Sequence, residues 1–229
     1  MIGIIGAMKI EIDGLKDMMT DKKTETVSGV EYCCGKLHGK DVVVSVCGIG
    51  KVFAAICAEA MIIKYGVDAV INTGVGGSLN EELKIGDILV AEKVCQHDMD
   101  TSPIGDPKGL LSGINQIYLS CDEKYAALLA EAAGRAGVTY KRGTVATGDQ
   151  FVNSAEVKDR IVSEFGADVC EMEGGSIGHV CYVNNVPFVV VRAVSDDASG
   201  KSHMDYGEFA PMAAKNSMKV IEEFVKNLD

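Results

Sequence analysis

Arginine is the first shortage: the 229-residue chain carries four, Arg135, Arg142, Arg160 and Arg192, and none earlier. No lysine- or arginine-rich run compensates, and the formal net charge is −11. Such a chain lacks the electrostatic footprint for nucleic acid or an anionic membrane surface. Proline is scarce too, 4 residues against 26 glycines, which argues for tight turns and close backbone approaches rather than Pro-rich linkers. The eight cysteines form no C-x-x-C pair. Most sit in apolar runs such as 42–47, as reduced, buried small hydrophobes of a cytoplasmic protein do. His38, His97, His179 and His203 show no H-E-x-x-H or clustered spacing, so no metal site is expected. There is no 18-residue apolar span, and the chain enters a strand-like run at once without a basic region and longer apolar stretch. The expectation is a soluble, cytoplasmic protein with no membrane segment.

Hydrophobic residues make up 47% and charged residues 24%, the balance of an ordinary globular protein. The length suits one domain spanning 1–229. Short apolar runs at 2–5, 42–47, 68–72, 87–91, 169–172 and 188–193 read as strands, several apolar throughout, as in strands covered on both faces. Between them, 9–19, 51–64, 123–136, 155–165, 175–184 and 208–227 have helical patterns. Gly66 and Gly137 stand at helix C-termini, and Asp122 and Ser154 at N-caps. Residues 30–46 suggest a hairpin turning at His38-Gly-Lys40. Strand and helix in alternation predict an α/β fold, a three-layer domain with a central mixed, largely parallel sheet flanked by helices. The aperiodic stretch 95–116 is the candidate long loop, functional or interfacial.

In open α/β sheets ligands gather beyond the carboxyl ends of strands. Polar residues standing there are Glu11, after the first run; Glu171 and Glu173, beside Gly174-Gly175; and Asp196 and Asp197, after the last run. Two glycine turns, Gly48-Ile-Gly-Lys51 and Thr73-Gly-Val-Gly-Gly77, join them at the same edge. Carboxyl groups on opposite faces of a sugar are what glycosidic cleavage needs: one protonates the leaving group, another activates water or stabilises an oxocarbenium-like transition state. Burial lets such a carboxyl hold its proton near neutral pH. Rival motifs fare worse. A P-loop requires glycine where Ser45 stands and Ser or Thr where Val52 stands. The Gly74 turn has Leu79 in place of the third glycine of a dinucleotide fingerprint. Gly174-Gly-Ser176-Ile-Gly178 does match a G-x-S-x-G elbow, with His179 and His203 downstream; glycines that allow close helix–sheet packing are the better account of it.

Taken in order, Met1-Ile-Gly-Ile-Ile-Gly-Ala-Met-Lys-Ile-Glu11, Gly48-Ile-Gly-Lys51, Asn72-Thr-Gly74, Gly148-Asp-Gln-Phe151, Glu171-Met-Glu173 and Val191-Arg-Ala-Val-Ser-Asp196 closely resemble the 5′-methylthioadenosine/S-adenosylhomocysteine nucleosidases, a branch of the purine nucleoside phosphorylase superfamily. The resemblance covers essentially the whole chain. It implies that Asp196 is the general acid to adenine's imidazole ring, oriented by Ser195, and that Glu11 positions and deprotonates water. Glu173 would grip the ribose hydroxyls with Met172 beneath the sugar, Phe151 would stack on adenine, and the backbone of Val152 would read its edge. Met8, Ile49 and Tyr206 would line the ribose and 5′-thio pocket. It further implies a homodimer in which the loop bearing Thr101, Ile104 and Ser112 reaches the partner's 5′ pocket, and no cofactor or metal. The chain departs from the pattern at Val75-Gly76, where Ser and Ala are usual, and at Ile104 and Ser112, so the preferred 5′ substituent stays open. Alternatives on the same scaffold are a phosphate-dependent phosphorylase, a hydrolase of another nucleoside such as futalosine, and a non-catalytic purine-binding protein. The phosphorylase needs an oxyanion site, typically built from arginines, where this chain has few and where Glu11 repels phosphate.

Overall fold

The structure, a computed structural model, describes residues 1–199 and 202–228, with backbone alone at 202–204. Its strands are β1 (Ile2–Gly6), β2 (Thr20–Val27), β3 (Val30–Leu37), β4 (Lys40–Val46), β5 (Ala69–Ser78), β6 (Ile88–Gln96), β7 (Tyr118–Ser120), β8 (Tyr140–Thr147), β9 (Val169–Glu171) and β10 (Phe188–Asp196). The helices are α1 (Lys9–Met18), α2 (Lys51–Tyr65), α3 (Glu123–Arg135), α4 (Ala155–Phe165), α5 (Gly174–Asn184) and α6 (Ser202–Lys226). β1, β5 and β10 are buried along their whole length, which is why they read as continuous apolar runs instead of alternating. Helix α2 packs on α5, while α6 crosses α1 and α3, so helices cover the sheet in two groups. No described helix is long and apolar enough to cross a membrane.

One sheet runs in the order β2-β3-β4-β1-β5-β9-β8-β6-β10, and β10 then returns to pair with β5. The expected open edge is therefore corrected: β5, β9, β8, β6 and β10 close into a ring, and the site lies at its rim. The largely parallel sheet is corrected as well. β1 pairs parallel with β4 and β5, β5 with β10, and β8 with β6 and β9. The hairpin strands and the ring-closing pairs β5–β9 and β6–β10 are antiparallel, as is β6–β7.

Thr73–Gly77 is not a turn but the second half of β5, in register with β10 from Thr73↔Val191 to Gly77↔Asp196. β10 likewise runs three residues beyond the expected 193, which puts Asp196 at its end. Three strands lie outside the apolar runs of the sequence. β2 is polar and almost wholly exposed, held by pairing with β3 rather than by burial. β7 and β8 lie where no strand was expected. Asp122 caps α3, its carboxylate accepting from Tyr125 N. Ser154 occupies the N-cap position of α4, but its hydroxyl makes no capping bond.

The main core packs β1, β4, β5 and β10 against the helices. A smaller cluster beneath α4 joins Leu79, Val152, Ile161, Phe165, Cys170 and Ala198. Ile161 and Phe165 lie one turn apart and bury the same stripe of α4, each contributing about 1.5–3 kcal/mol of hydrophobic stabilisation. That cluster fixes the floor on which the site's loops rest.

Candidate active site

Helix α1 starts directly after β1, and Glu11 is its third residue. The side chain turns back so that Oε2 accepts from Ala7 N at 2.8 Å and Met8 N at 2.9 Å. Oε1 accepts from Val75 N on β5 at 3.0 Å. Three main-chain donors thus fix a carboxylate that is 2% exposed. Burial raises its pKa, against the opposing pull of Arg192 and those N–H groups. Gly74 explains the close approach: a Cβ there would lie 2.7 Å from Glu11 Oε1.

Gly77 does the same for the second carboxyl. Its missing Cβ would lie 2.9 Å from Asp196 Oδ1. Ser195 Oγ donates to Asp196 Oδ2 at 2.8 Å and Ala198 N donates to Oδ1 at 3.0 Å. The spacing of Gly74 and Gly77 on β5 therefore provides room for one carboxyl from α1 and one from β10.

Glu173 is the N-cap residue of α5, and its Oε1 accepts from Gly50 N at 2.8 Å. Gly50 has φ +99°, in the region that favours glycine, and its N–H opens α2. The next amide, Lys51 N, donates to Asp149 Oδ1 at 2.8 Å. The Gly-Ile-Gly-Lys helix start is thus an anion-binding end already filled by two of the protein's own carboxylates. Lys51 Nζ is engaged by Asp98 Oδ1 at 2.7 Å. Burial, followed by the neighbouring Glu171, pushes the Glu173 carboxyl up to about 7.

The role of Arg192 does not show in the sequence, where it stands inside an apolar run. Its guanidinium is 1% exposed and lies under the cavity. One nitrogen donates to Glu171 Oε2 and to Asn72 Oδ1, and Glu173 Oε2 stands 3.7 Å away. Glu171 also accepts from Thr147 Oγ1 and from the amides of Glu173 and Gly174. An uncompensated cluster of buried carboxylates would be very costly, so one buried cation among them makes it tolerable. The only signal for this in the sequence is a lone arginine inside an apolar run.

These groups face a cavity of about 370 Å³. The sequence-predicted residues Met8, Ile49, Val75, Gly76, Met172, Ser195 and Tyr206 line it together with Glu11, Glu173 and Asp196. Phe151 and Val152 form another wall, Phe151 half-exposed and edge-on to Tyr206 with ring centroids 5.5 Å apart. Glu171 and Gly77, which the sequence places at the same edge, line it too, as do Ala7, Gln150 and Cys170, which the sequence did not point to. Thr101, Ile104 and Ser112 do not reach the chain's own cavity. Thr101 Oγ1 bonds to Asp106 Oδ2 at 2.8 Å, and Ile104, on a 3₁₀ turn, is 81% exposed. The serine-elbow alternative loses its nucleophile: Ser176 is buried and its Oγ donates to Glu173 O at 2.7 Å. The His203 side chain lies outside the described residues.

Residues 1–226 match the phosphorylase superfamily profile. The chain is 42% identical over 228 residues to a 5′-methylthioadenosine/S-adenosylhomocysteine nucleosidase of Haemophilus influenzae (strain PittEE), covering 99% of both proteins. It is 37% identical over 228 residues to an aminodeoxyfutalosine nucleosidase of Helicobacter pylori, covering 99% of this chain and 98% of that one. Among solved structures, a 5′-methylthioadenosine/S-adenosylhomocysteine nucleosidase from Neisseria meningitidis, in complex with methylthio-immucillin-A, superposes with a TM-score of 0.96 at 34% identity over 99% of each chain.

Proposed function

The chain belongs to the 5′-methylthioadenosine/S-adenosylhomocysteine nucleosidase family of the phosphorylase superfamily, and from that premise we propose that it hydrolyses the N-glycosidic bond of those two nucleosides. The products are adenine and the corresponding 5′-thioribose. The observation that carries this is the convergence of Glu11, Glu173 and Asp196 on one largely apolar cavity, two of them seated against glycines of a single strand.

In the proposed reaction Asp196, oriented by Ser195, gives its proton to the free imidazole-ring nitrogen of adenine as the glycosidic electron pair leaves with the base. Water held by Glu11 adds its hydroxyl to the anomeric carbon, and its proton passes to Glu11. Glu173 accepts from the ribose hydroxyls and Met172 packs beneath the ring. Phe151 stacks on the base and the Val152 backbone reads its edge. Met8, Ile49 and Tyr206 surround the ribose and 5′ group, with Val75 and Gly76 as the wall.

Hydrolysis is favoured over phosphorolysis by charge. No lysine or arginine among the described residues lines the cavity, and the nearby Arg192 already faces Glu171 and Glu173. A homodimer is supported by exposed apolar side chains at the cavity lip and along α2, with Val52 70% and Phe53 53% exposed. The loop of Thr101, Ile104 and Ser112 would then complete the partner's 5′ pocket. Eight free cysteines, all but Cys34 buried, fit a reducing cytoplasm. A second substrate is favoured by the H. pylori relative named for aminodeoxyfutalosine.

Adenine release measured from methylthioadenosine, S-adenosylhomocysteine and aminodeoxyfutalosine tests the assignment. The highest kcat/KM is expected with one of the two thionucleosides. A preference of about tenfold or more for aminodeoxyfutalosine would overturn the substrate choice, and release of base from none of the three would overturn the function.

A further inference from the structure

Lys158 belongs to none of the groups described above. It stands on the first turn of α4, and its Nζ donates to Asp197 O at 2.6 Å and to Ser78 O at 3.0 Å. The Asp197 carbonyl and the Ala198 N–H are two ends of one peptide group, and that N–H donates to Asp196 Oδ1 at 3.0 Å. An ammonium therefore grips one end of the peptide whose other end holds the carboxyl. Ala198 has φ +53°, a conformation that a residue with a side chain keeps only when its surroundings enforce it. Ser78 is the last residue of β5, next to the Gly77 that Asp196 packs against. The base of the lysine is rigid as well, because Ile161 and Phe165 of α4 share a buried cluster with Ala198.

We propose that Lys158 is a positioning residue for the Asp196 acid, stapling the Asp197–Ala198 peptide to the end of β5 so that the Ala198 N–H holds the carboxyl in its donating orientation. A cation on the carbonyl oxygen also polarises that N–H and strengthens its bond. The inference rests on Asp196 being the acid of the proposed reaction. It predicts a loss in turnover rather than in nucleoside binding, because Lys158 does not line the cavity.

The test compares wild type, Asp196→Asn, Lys158→Met and Lys158→Arg for adenine release from methylthioadenosine. It adds the p-nitrophenyl glycoside of 5-methylthioribose, whose nitrophenolate leaving group departs without a proton, and the melting temperature of each protein. For Lys158→Met, kcat on methylthioadenosine should fall about 10–100-fold with KM within about threefold, the scale of a misplaced catalytic group. Turnover of the p-nitrophenyl glycoside should change less than about threefold, since departure of nitrophenolate bypasses the acid. Lys158→Arg, which can still donate to both carbonyls, should recover most of the rate. If Lys158→Met does not fold, Lys158→Gln, which removes the charge and shortens the reach, is judged by the same criteria. Unchanged turnover in the folded Lys158 variant while Asp196→Asn is impaired overturns the inference and leaves the function intact. An equal fall on both substrates, or no recovery with arginine, reduces Lys158 to a stabilising residue and also overturns it. A wild type that releases no adenine, or an Asp196→Asn variant as active as wild type, overturns the underlying reaction instead.

Discussion

Burial and hydrogen bonding pull in opposite directions on Glu11, and burial prevails, so its carboxyl sits above its ordinary range while three amides fix its place. A group so placed gains nothing from mobility, and Glu11→Gln, nearly isosteric, should leave KM within a few-fold while lowering kcat about 10²–10⁴-fold, the usual contribution of a positioned base. Steady-state kinetics checks this. Glu173, raised to about 7 chiefly by burial, gives a pH signature. Its folded pKa lies above the unfolded value, so the folded state holds an extra proton between about pH 4.5 and about pH 7. Its contribution to stability is present below that window and is lost as pH rises through it. Glu173→Gln should therefore raise the melting temperature by a few degrees at about pH 8, with the gain vanishing below about pH 4.5. In the wild type, KM should rise severalfold as pH falls from about 7.5 to about 5.5, because the ribose hydroxyls lose an ionised acceptor. A flat wild-type KM, or a variant that is less stable at high pH, would remove Glu173 from this role. At this scale the sequence was legible where chemistry shows in the residue type: Glu11, Glu173 and Asp196 stand beyond apolar strands. Arg192 was not legible, because only the fold reveals that its side chain turns toward three buried carboxylates.

Among the elements, β5 carries the most information. Its glycines look like a turn in sequence, since Thr73-Gly-Val-Gly-Gly77 has no apolar alternation. They are strand residues because the facing atoms belong to Glu11 and Asp196. Gly74→Ala and Gly77→Ala test that account: each Cβ would meet a carboxylate oxygen at 2.7 Å and 2.9 Å respectively. Each variant should fold, with kcat lowered at least about tenfold by displacement of the carboxyl it contacts. Near-normal kcat in both would show that the glycines serve packing alone. Helix α4, with its apolar stripe, and α2, closed by the expected Gly66, were legible to within a residue. β2 was not, because its sequence TDKKTETV is exposed on both faces and is a strand only by virtue of its neighbour. The start of α6 at Ser202 lies before the expected Glu208.

For the molecule as a whole, alternating strands and helices foretold an α/β fold with a central mixed sheet. Closure of five strands into a ring depends on β10 pairing with both β5 and β6, which no local pattern encodes. The exposed apolar face of α2 makes a prediction at the level of assembly. Phe53→Glu should shift the protein toward monomer in light scattering and weaken turnover of 5′-thio nucleosides about tenfold or more, as a buried charge disfavours association. A wild type that is monomeric at micromolar concentration would contradict the proposed dimer. The central claim, that water and not phosphate attacks, has a more direct test. Adenine release from methylthioadenosine is measured with phosphate rigorously removed and then restored. The account predicts full turnover without phosphate, with free methylthioribose as the second product and no gain when phosphate returns. Turnover only with phosphate, yielding the sugar phosphate, would contradict the roles given to Glu11 and Arg192.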